Sequence, residues 1–182
     1  MVNQTYPKNL GYVLSEDGQF DNAIEMLRNA SRTNPGLYQE LIERGMQHKM
    51  QGEDSEALES VCYAIVIESN NINALRLWGG CLFDVGSYKQ TETVMQRYVD
   101  LVPTCVHERV VLALAQAEQK NLAKAIESFD RISAINSWHP VAKIAEWAAD
   151  AMRGLRNDAT DSENQIDMII SEVVRRMEDA PL

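Results

Sequence analysis

The side chains most able to do chemistry in this sequence are its three histidines and three cysteines: His48, His107, His139, Cys62, Cys81 and Cys105. The histidines match no HExxH motif or similar metal-ligating spacing, and the cysteines form no CxxC pair. Cys105, His107 and His139 fall in two successive connections between predicted helices. If such connections line one edge of the molecule, a Cys/His/His metal cluster is conceivable there. Scattered surface residues are the simpler interpretation, and we predict no metal site.

The sequence also shows no other motif that is typical of an enzyme active site. The sequence has no glycine-rich loop of the kind that cradles phosphates. Its acidic residues are spread over predicted exposed helix faces, where solvation explains them. We therefore predict a protein that is not an enzyme and needs no cofactor.

Composition narrows the class of partner. The chain has 182 residues and a net charge of -10, which argues against nucleic acid and anionic membrane surfaces as partners. The first ten residues, MVNQTYPKNL, show no signal-peptide pattern, and no apolar run is long enough to span a bilayer. An odd number of cysteines favours a reducing compartment. These observations predict a cytoplasmic protein that does not insert into membranes, and the acidic charge is compatible with a basic or mostly apolar protein partner.

A 34-residue repeat organises the chain. The blocks 4–37, 38–71, 72–105 and 106–139 align without gaps. Their eighth positions hold Gly11, Gly45, Gly79 and Ala113, and their twentieth positions hold Ala23, Ala57, Thr91 and Ala125. Each block predicts two helices, which such small residues allow to pack closely. A glycine between them supplies the positive φ of a helix C-terminus in blocks one to three, and we expect Asn121 to do so in block four.

This pattern resembles the tetratricopeptide repeat over residues 4–139. The resemblance implies an all-α, right-handed superhelical solenoid of about four 34-residue helix-turn-helix repeats, followed by C-terminal helices. We assign the solenoid and its covering helix to residues 4–153, a linker to 154–161 and an amphipathic helix to 162–180. In repeat three, the Gly79-Gly80 pair either makes room for the bulkier Thr91 and Tyr98 or lets a ligand approach the backbone.

The resemblance also implies where a ligand binds. In tetratricopeptide-like superhelices the first helix of each repeat lines the concave side, and here the middle of that groove is apolar. Such a groove suits an extended or helical apolar segment of another protein. We predict peptide binding by Tyr12, Ile42, Met46, Lys49, Met50, Arg76, Phe83, Val110 and Leu114. Members with a carboxylate clamp carry Lys, Asn, Asn, Lys and Arg at fixed groove positions across three repeats. This sequence keeps that set of residues neither when the alignment starts at repeat one nor when it starts at repeat two.

A second, more specific resemblance concerns function. Small acidic proteins with three or four such repeats are similar to the bacterial type III secretion chaperones, which hold an apolar segment of a translocator protein in the groove. Here the first repeat starts at residue 4, without the helical extension usual in that family, and a long amphipathic tail follows. The resemblance implies an adaptor or chaperone. The alternative is a structural self-assembly module.

The end of the chain predicts two further helices. The segment PVAKIAEWAADAMRGL, which we expect to end at Gly154, covers the last repeat. In the tail, one stripe at helical spacing holds Ile166, Ile169, Ile170, Val173, Val174 and Met177. This apolar face needs a partner, which is the chain's own solenoid, another protein or a second copy of the chain in a homodimer.

Overall fold

The computed structural model describes residues 29–157 and 162–180, which form α-helices joined by short connections. Residues 29–33 are helical. The following helices are α1 Leu37–Met50, α2 Asp54–Ile67, α3 Ile72–Asp84, α4 Tyr88–Leu101, α5 His107–Glu118, α6 Leu122–Ile135, α7 Pro140–Asn157 and α8 Ser162–Glu178. No strand occurs in these ranges. The predicted all-α fold class is confirmed.

The chain divides into two compact units, Met1–Val85 and Gly86–Leu182. In the described part of the first unit, α2 packs against α1 and α3, and α1 also touches α3. In the second unit, α4, α5, α6 and α7 pack in succession, and α8 lies against α7 and α5. Helices that follow one another in sequence within a unit are therefore neighbours in space, as in an array of helical hairpins.

The small residues of repeat two bring α1 and α2 together. A Cβ atom built on Gly45 would lie 2.9 Å from Cγ2 of Val61 and 3.5 Å from the carbonyl oxygen of Ala57. Ala57 itself is completely buried. Since real Cβ atoms do not approach neighbours so closely, a side chain at Gly45 would push the two helices apart. The eighth and twentieth repeat positions therefore meet as the sequence predicts.

The turns between paired helices correct one expectation. Gly52 and Gly86 both have φ of +74°, as predicted for glycines at this position. In repeat four it is Lys120, with φ of 61°, and not Asn121, that adopts the left-handed conformation. Asn121 instead caps α6, where its side chain accepts a hydrogen bond from the Lys124 amide at 3.4 Å. Lys120 follows Gly86 by 34 residues, so the repeat register decides which residue takes the strained conformation.

Helix α7 also differs from its prediction at its C-terminal end. The helix continues through Gly154 to Asn157, although we expected Gly154 to end it. One glycine inside a helix costs only about 1 kcal/mol relative to alanine. Leu155, Ala151 and Trp147 follow one another at four-residue spacing on the side that faces α8. The helix therefore continues past the glycine at only a small cost in helix propensity.

The apolar stripe of α7 packs on the last repeat. Its buried members, each at most 9% exposed, include Val141, Ile144, Ala145, Ala148 and Met152. They pack against α6, whose largest fully buried side chain is Phe129. The core of the second unit therefore continues from the repeat helices into α7.

A polar network joins α4, α5 and α6. The carboxylate of Glu92 accepts hydrogen bonds from Lys124 Nζ at 2.8 Å, Gln119 Nε2 at 3.0 Å and Gln116 Nε2 at 3.4 Å. Ser128 Oγ donates to the amide oxygen of Gln116 at 2.8 Å. The hydrogen bond from Lys124 is the main cause of a lowered pKa for Glu92, and it outweighs the opposite effect of burial.

We expect Glu92→Gln to lower the free energy of unfolding at neutral pH by about 1 kcal/mol, because charge-assisted bonds on a partly exposed carboxylate are lost. A carboxylate with a depressed folded-state pKa stabilises the fold above the unfolded value of about 4.3, and this contribution disappears as the pH falls through the folded value. Urea unfolding at a series of pH values should show that the free energies of unfolding of the variant and of wild type converge at acidic pH. Glu127→Gln, at an exposed pair with Arg131 on α6, serves as the control. If Glu92→Gln and wild type differ in free energy of unfolding by the same amount at every pH, the ionised carboxylate of Glu92 does not stabilise the fold.

Candidate functional site

The structure brings together two of the three residues considered for a metal cluster. The rings of His107 and His139 meet edge to face, with centroids 5.4 Å apart. Cys105 is buried, and His48 is paired with Glu53 at 2.6 Å at the turn after α1. Within the described ranges, no group of three or more His, Cys, Asp or Glu side chains is arranged to hold a metal ion. The histidine pair therefore reads as a packing contact between connections.

The cysteines are poor nucleophiles in this fold. Burial raises the pKa of Cys62 and of Cys81 to about 11. Burial, followed by the charge of Glu108, also raises the pKa of Cys105. The thiolate is the reactive form, so these thiols stay protonated and unreactive at neutral pH. The remaining candidates are the predicted groove residues of each unit.

In the first unit, the predicted groove residues divide by burial. Met46 is 42% exposed and Met50 is 89% exposed, and they lie one turn apart on α1. Ile42, one turn before Met46, is only 4% exposed and belongs to the core. On α3, Arg76 is exposed and Phe83 is half-buried. The predicted set therefore contributes exposed apolar and basic groups to this unit's surface, without Ile42.

Lys49 links α1 and α3, the two helices of the first unit that carry predicted groove residues. Its ammonium group forms an ion pair with Asp84 at the end of α3. A Cβ atom on Gly80 would lie 3.7 Å from Cε of Lys49, an ordinary contact distance, so the lysine stem runs across the face of α3 at this glycine. Burial lowers the pKa of Lys49, but the Asp84 hydrogen bond and charge raise it by more, and the group stays charged. Lys49 therefore connects α1 and α3 through a partly exposed ion pair.

In the second unit, the predicted groove residues are covered. Val110 and Leu114 on α5 are 3% and 4% exposed, and α8 lies against α5. In this conformation these two side chains are not accessible to a ligand. The remaining predicted residue, Tyr12, lies outside the described residues.

The C-terminal helix docks within its own unit. Four members of its apolar stripe are at most 8% exposed: Ile166, Ile169, Ile170 and Val173. The helices that α8 packs against are α7 and α5, so this stripe is buried on them. Of the three partners that the sequence left open for this face, the structure shows the chain's own helices. A homodimer is therefore not needed to bury this face.

The polar contacts that accompany this docking were not predicted from the sequence. Lys120 Nζ lies 3.2 Å from Asp167 Oδ1, which joins the end of α5 to α8. The guanidinium carbon of Arg176 lies 4.1 Å from the centre of the Trp147 ring on α7, a cation–π contact. No local signal connects residues so distant in sequence. A 95% exposed Trp138, in the connection before α7, was also missed, although its place beside His139-Pro140 marks a loop.

Comparison with known proteins identifies the fold. No protein-family model and no curated protein sequence matches the chain. Among solved structures, a tetratricopeptide repeat protein from Parabacteroides merdae is similar with a TM-score of 0.62 and 24% identity, over 90% of this chain and 64% of that one. The chain has a tetratricopeptide-like fold.

Two other solved structures share it. MamA from Desulfovibrio magneticus has a TM-score of 0.61 and 16% identity, with coverage of 94% of this chain and 93% of that chain. A mutant O-GlcNAc transferase from Thermobaculum terrenum has a TM-score of 0.56 and 17% identity, over 78% of this chain and 26% of the transferase. No helix within residues 29–157 and 162–180 is both long and apolar enough to cross a bilayer.

Proposed function

We propose that this chain is a non-catalytic protein–protein interaction module, an adaptor or chaperone, that binds an apolar segment of another protein. The observation that carries the proposal is the exposed methionine pair of α1, Met46 and Met50. Side chains four residues apart on a helix are neighbours, so the two methionines form one apolar strip. Methionine is flexible and polarizable, and it is common on surfaces that accept varied apolar ligands.

The neighbouring charges suggest which apolar segments would bind. Arg76 on α3 is exposed, and α3 lies beside α1 in the same unit. Lys49, between the methionines in sequence, is already paired with Asp84. A segment with apolar anchors and a carboxylate placed for Arg76 would match this surface best, because a charged rim group contributes orientation and specificity more than affinity.

The type III secretion chaperones remain the more specific form of this proposal, with an apolar segment of a secreted protein as the ligand. A cytoplasmic location belongs to the same proposal. All three cysteines are free thiols in the structure, which is the state that a reducing compartment maintains.

A peptide display experiment tests the surface with a defined probe. Random peptides of about 12 residues, long enough for roughly three helical turns, are selected on the full chain, and an enriched peptide is then titrated by fluorescence anisotropy. We expect apolar sequences to be enriched. Met46→Glu should weaken binding of such a peptide at least about tenfold, or about 1.4 kcal/mol, because it places a charge in the apolar strip.

The matched control is Ile72→Glu at the first residue of α3. Ile72 is 44% exposed, close to the 42% of Met46, but it lies outside the predicted groove positions. The proposal expects it to leave the peptide affinity unchanged. Equal losses in both variants, or selection of peptides without apolar anchors, would place the binding site elsewhere.

A further inference from the structure

Helix α8 stabilises its own helical state through charges along its surface. Arg175 pairs with Glu172 at 2.7 Å and with Asp179 at 3.0 Å, and Arg176 pairs with Glu172 at 2.6 Å. All of these pairs join residues three or four apart, within α8 or with the residue that directly follows it, the spacing that supports an isolated helix. The helix therefore carries helix-stabilising interactions that do not depend on the surface it covers.

The contact between α8 and the rest of the unit has the composition of a peptide interface. Its centre is the buried stripe Ile166, Ile169, Ile170 and Val173. Two polar contacts lie at its ends, the Lys120–Asp167 ion pair and the Arg176 guanidinium over Trp147. Both partners of the ion pair are substantially exposed, at 38% and 61%. An apolar centre with solvent-exposed polar contacts at the rim is typical of a separable interface.

The packing of α8 against α7 is also incomplete. A cleft of about 950 Å³ opens between the two helices, with Trp147 and Leu155 on the α7 side and Met168 and Glu172 on the α8 side. Met168 is 71% exposed beside this cleft. The cleft leaves space for larger side chains of a different helix at this edge of the face.

We propose that the face of α5 and α7 beneath α8 is a binding site for an amphipathic helix, and that α8 is its built-in occupant. The ligand is a helix of a partner protein with the features by which α8 docks. It has apolar side chains at positions i, i+3, i+4 and i+7, an acidic side chain at i+1 opposite Lys120, and an arginine or lysine at i+10 over Trp147.

The tether makes α8 a competitor of that ligand. Because α8 belongs to the same chain, it meets its site at an effective concentration of the order of millimolar. A free helix binds only to the fraction of molecules whose α8 has left, so its apparent affinity is reduced by that fraction. Weakening α8 should therefore strengthen binding of a helix added in trans.

The test uses a fluorescent synthetic peptide of residues 162–180 and the full-length chain. In the chain, Ile170→Glu places a charge at a position only 7% exposed on the docked face of α8. We expect this variant to bind the peptide at least about tenfold more tightly than wild type, because its own helix is displaced. Val174→Glu, the same type of change at a position of α8 that is 37% exposed and does not line the cleft, should bind the peptide as wild type does.

A second variant guards against misfolding of the first. Asp167→Lys reverses the exposed end of the ion pair with Lys120 and should also increase peptide binding, by about two- to fivefold. If Ile170→Glu does not fold, Asp167→Lys alone tests whether weaker docking of α8 strengthens peptide binding. Peptide binding that is no tighter than wild type in every folded variant of this pair overturns the proposal.

The outcome is separable from that of the proposed function. The peptide probe addresses the second unit, whereas the methionine strip lies in the first. Met46→Glu should accordingly leave binding of the 162–180 peptide unchanged, and failure of either proposal leaves the other standing.

Discussion

Phe129→Ala should lower the free energy of unfolding by about 3–5 kcal/mol, the usual range when a large core aromatic is truncated. Among the described residues, Phe129 is the largest fully buried side chain, with no exposed surface, and its helix α6 packs against both α5 and α7. Removal of the ring leaves a cavity that three packed helices cannot close without moving. Urea unfolding followed by circular dichroism measures the loss.

The control for this substitution is Leu101→Ala at the end of α4. Leu101 is 46% exposed, so truncation removes less buried apolar area and should cost at most about 1 kcal/mol. Comparable losses for the two variants would show that Phe129 is not the centre of the core of the second unit.

Ala57→Leu should cost about 1–3 kcal/mol, because it inserts three carbon atoms where α1 and α2 are closest. The α1 backbone at Gly45 already lies close to Ala57 and Val61, with no room for even a Cβ atom. Thermal unfolding of this variant beside Glu56→Ala gives a matched pair at adjacent positions. Glu56 is exposed, and its replacement should change the stability by less than about 0.5 kcal/mol. Equal shifts in melting temperature would contradict the repeat register.

The repeat register could be read from the sequence because it depends on local geometry. A turn between two closely packed helices needs a residue with positive φ at a fixed distance from the small contact residues, so Gly52 and Gly86 were identifiable by spacing alone. Register even overrides residue preference. Lys120 takes the left-handed conformation although Asn121, a better candidate by propensity, is its neighbour. Propensity decides between conformations only where packing leaves the choice open.

The candidate site was less predictable because small rotations about a helix axis decide exposure. Ile42 and Met46 are one turn apart and were assigned to the same groove. At 3.6 residues per turn, however, two residues four apart point in directions that differ by about 40° around the helix axis. That rotation separates a side chain 4% exposed from one 42% exposed. Only the position of the neighbouring helices shows where the boundary falls.

The tail illustrates a different limit. Its stripe, beginning at Ile166, shows that one face must be covered but not by which surface, and the sequence left three partners open.

The hydrogen-bond network of Glu92 could not be predicted from the sequence for a related reason. A glutamate within a helix is usually solvated, and the helices that supply Gln116 and Lys124 come together only through tertiary packing.

The cation–π contact between Arg176 and Trp147 gives the protein an internal optical reporter. The indole of Trp147 is half-buried beneath a guanidinium carried by α8, whereas Trp138 is 95% exposed in a loop and remains in water whether α8 is docked or not. When α8 leaves, Trp147 exchanges a charged neighbour for solvent, while Trp138 and the third tryptophan, Trp78 on α3 of the first unit, supply a steady background. The emission spectrum of the unlabelled chain would thus distinguish a docked tail from a released one.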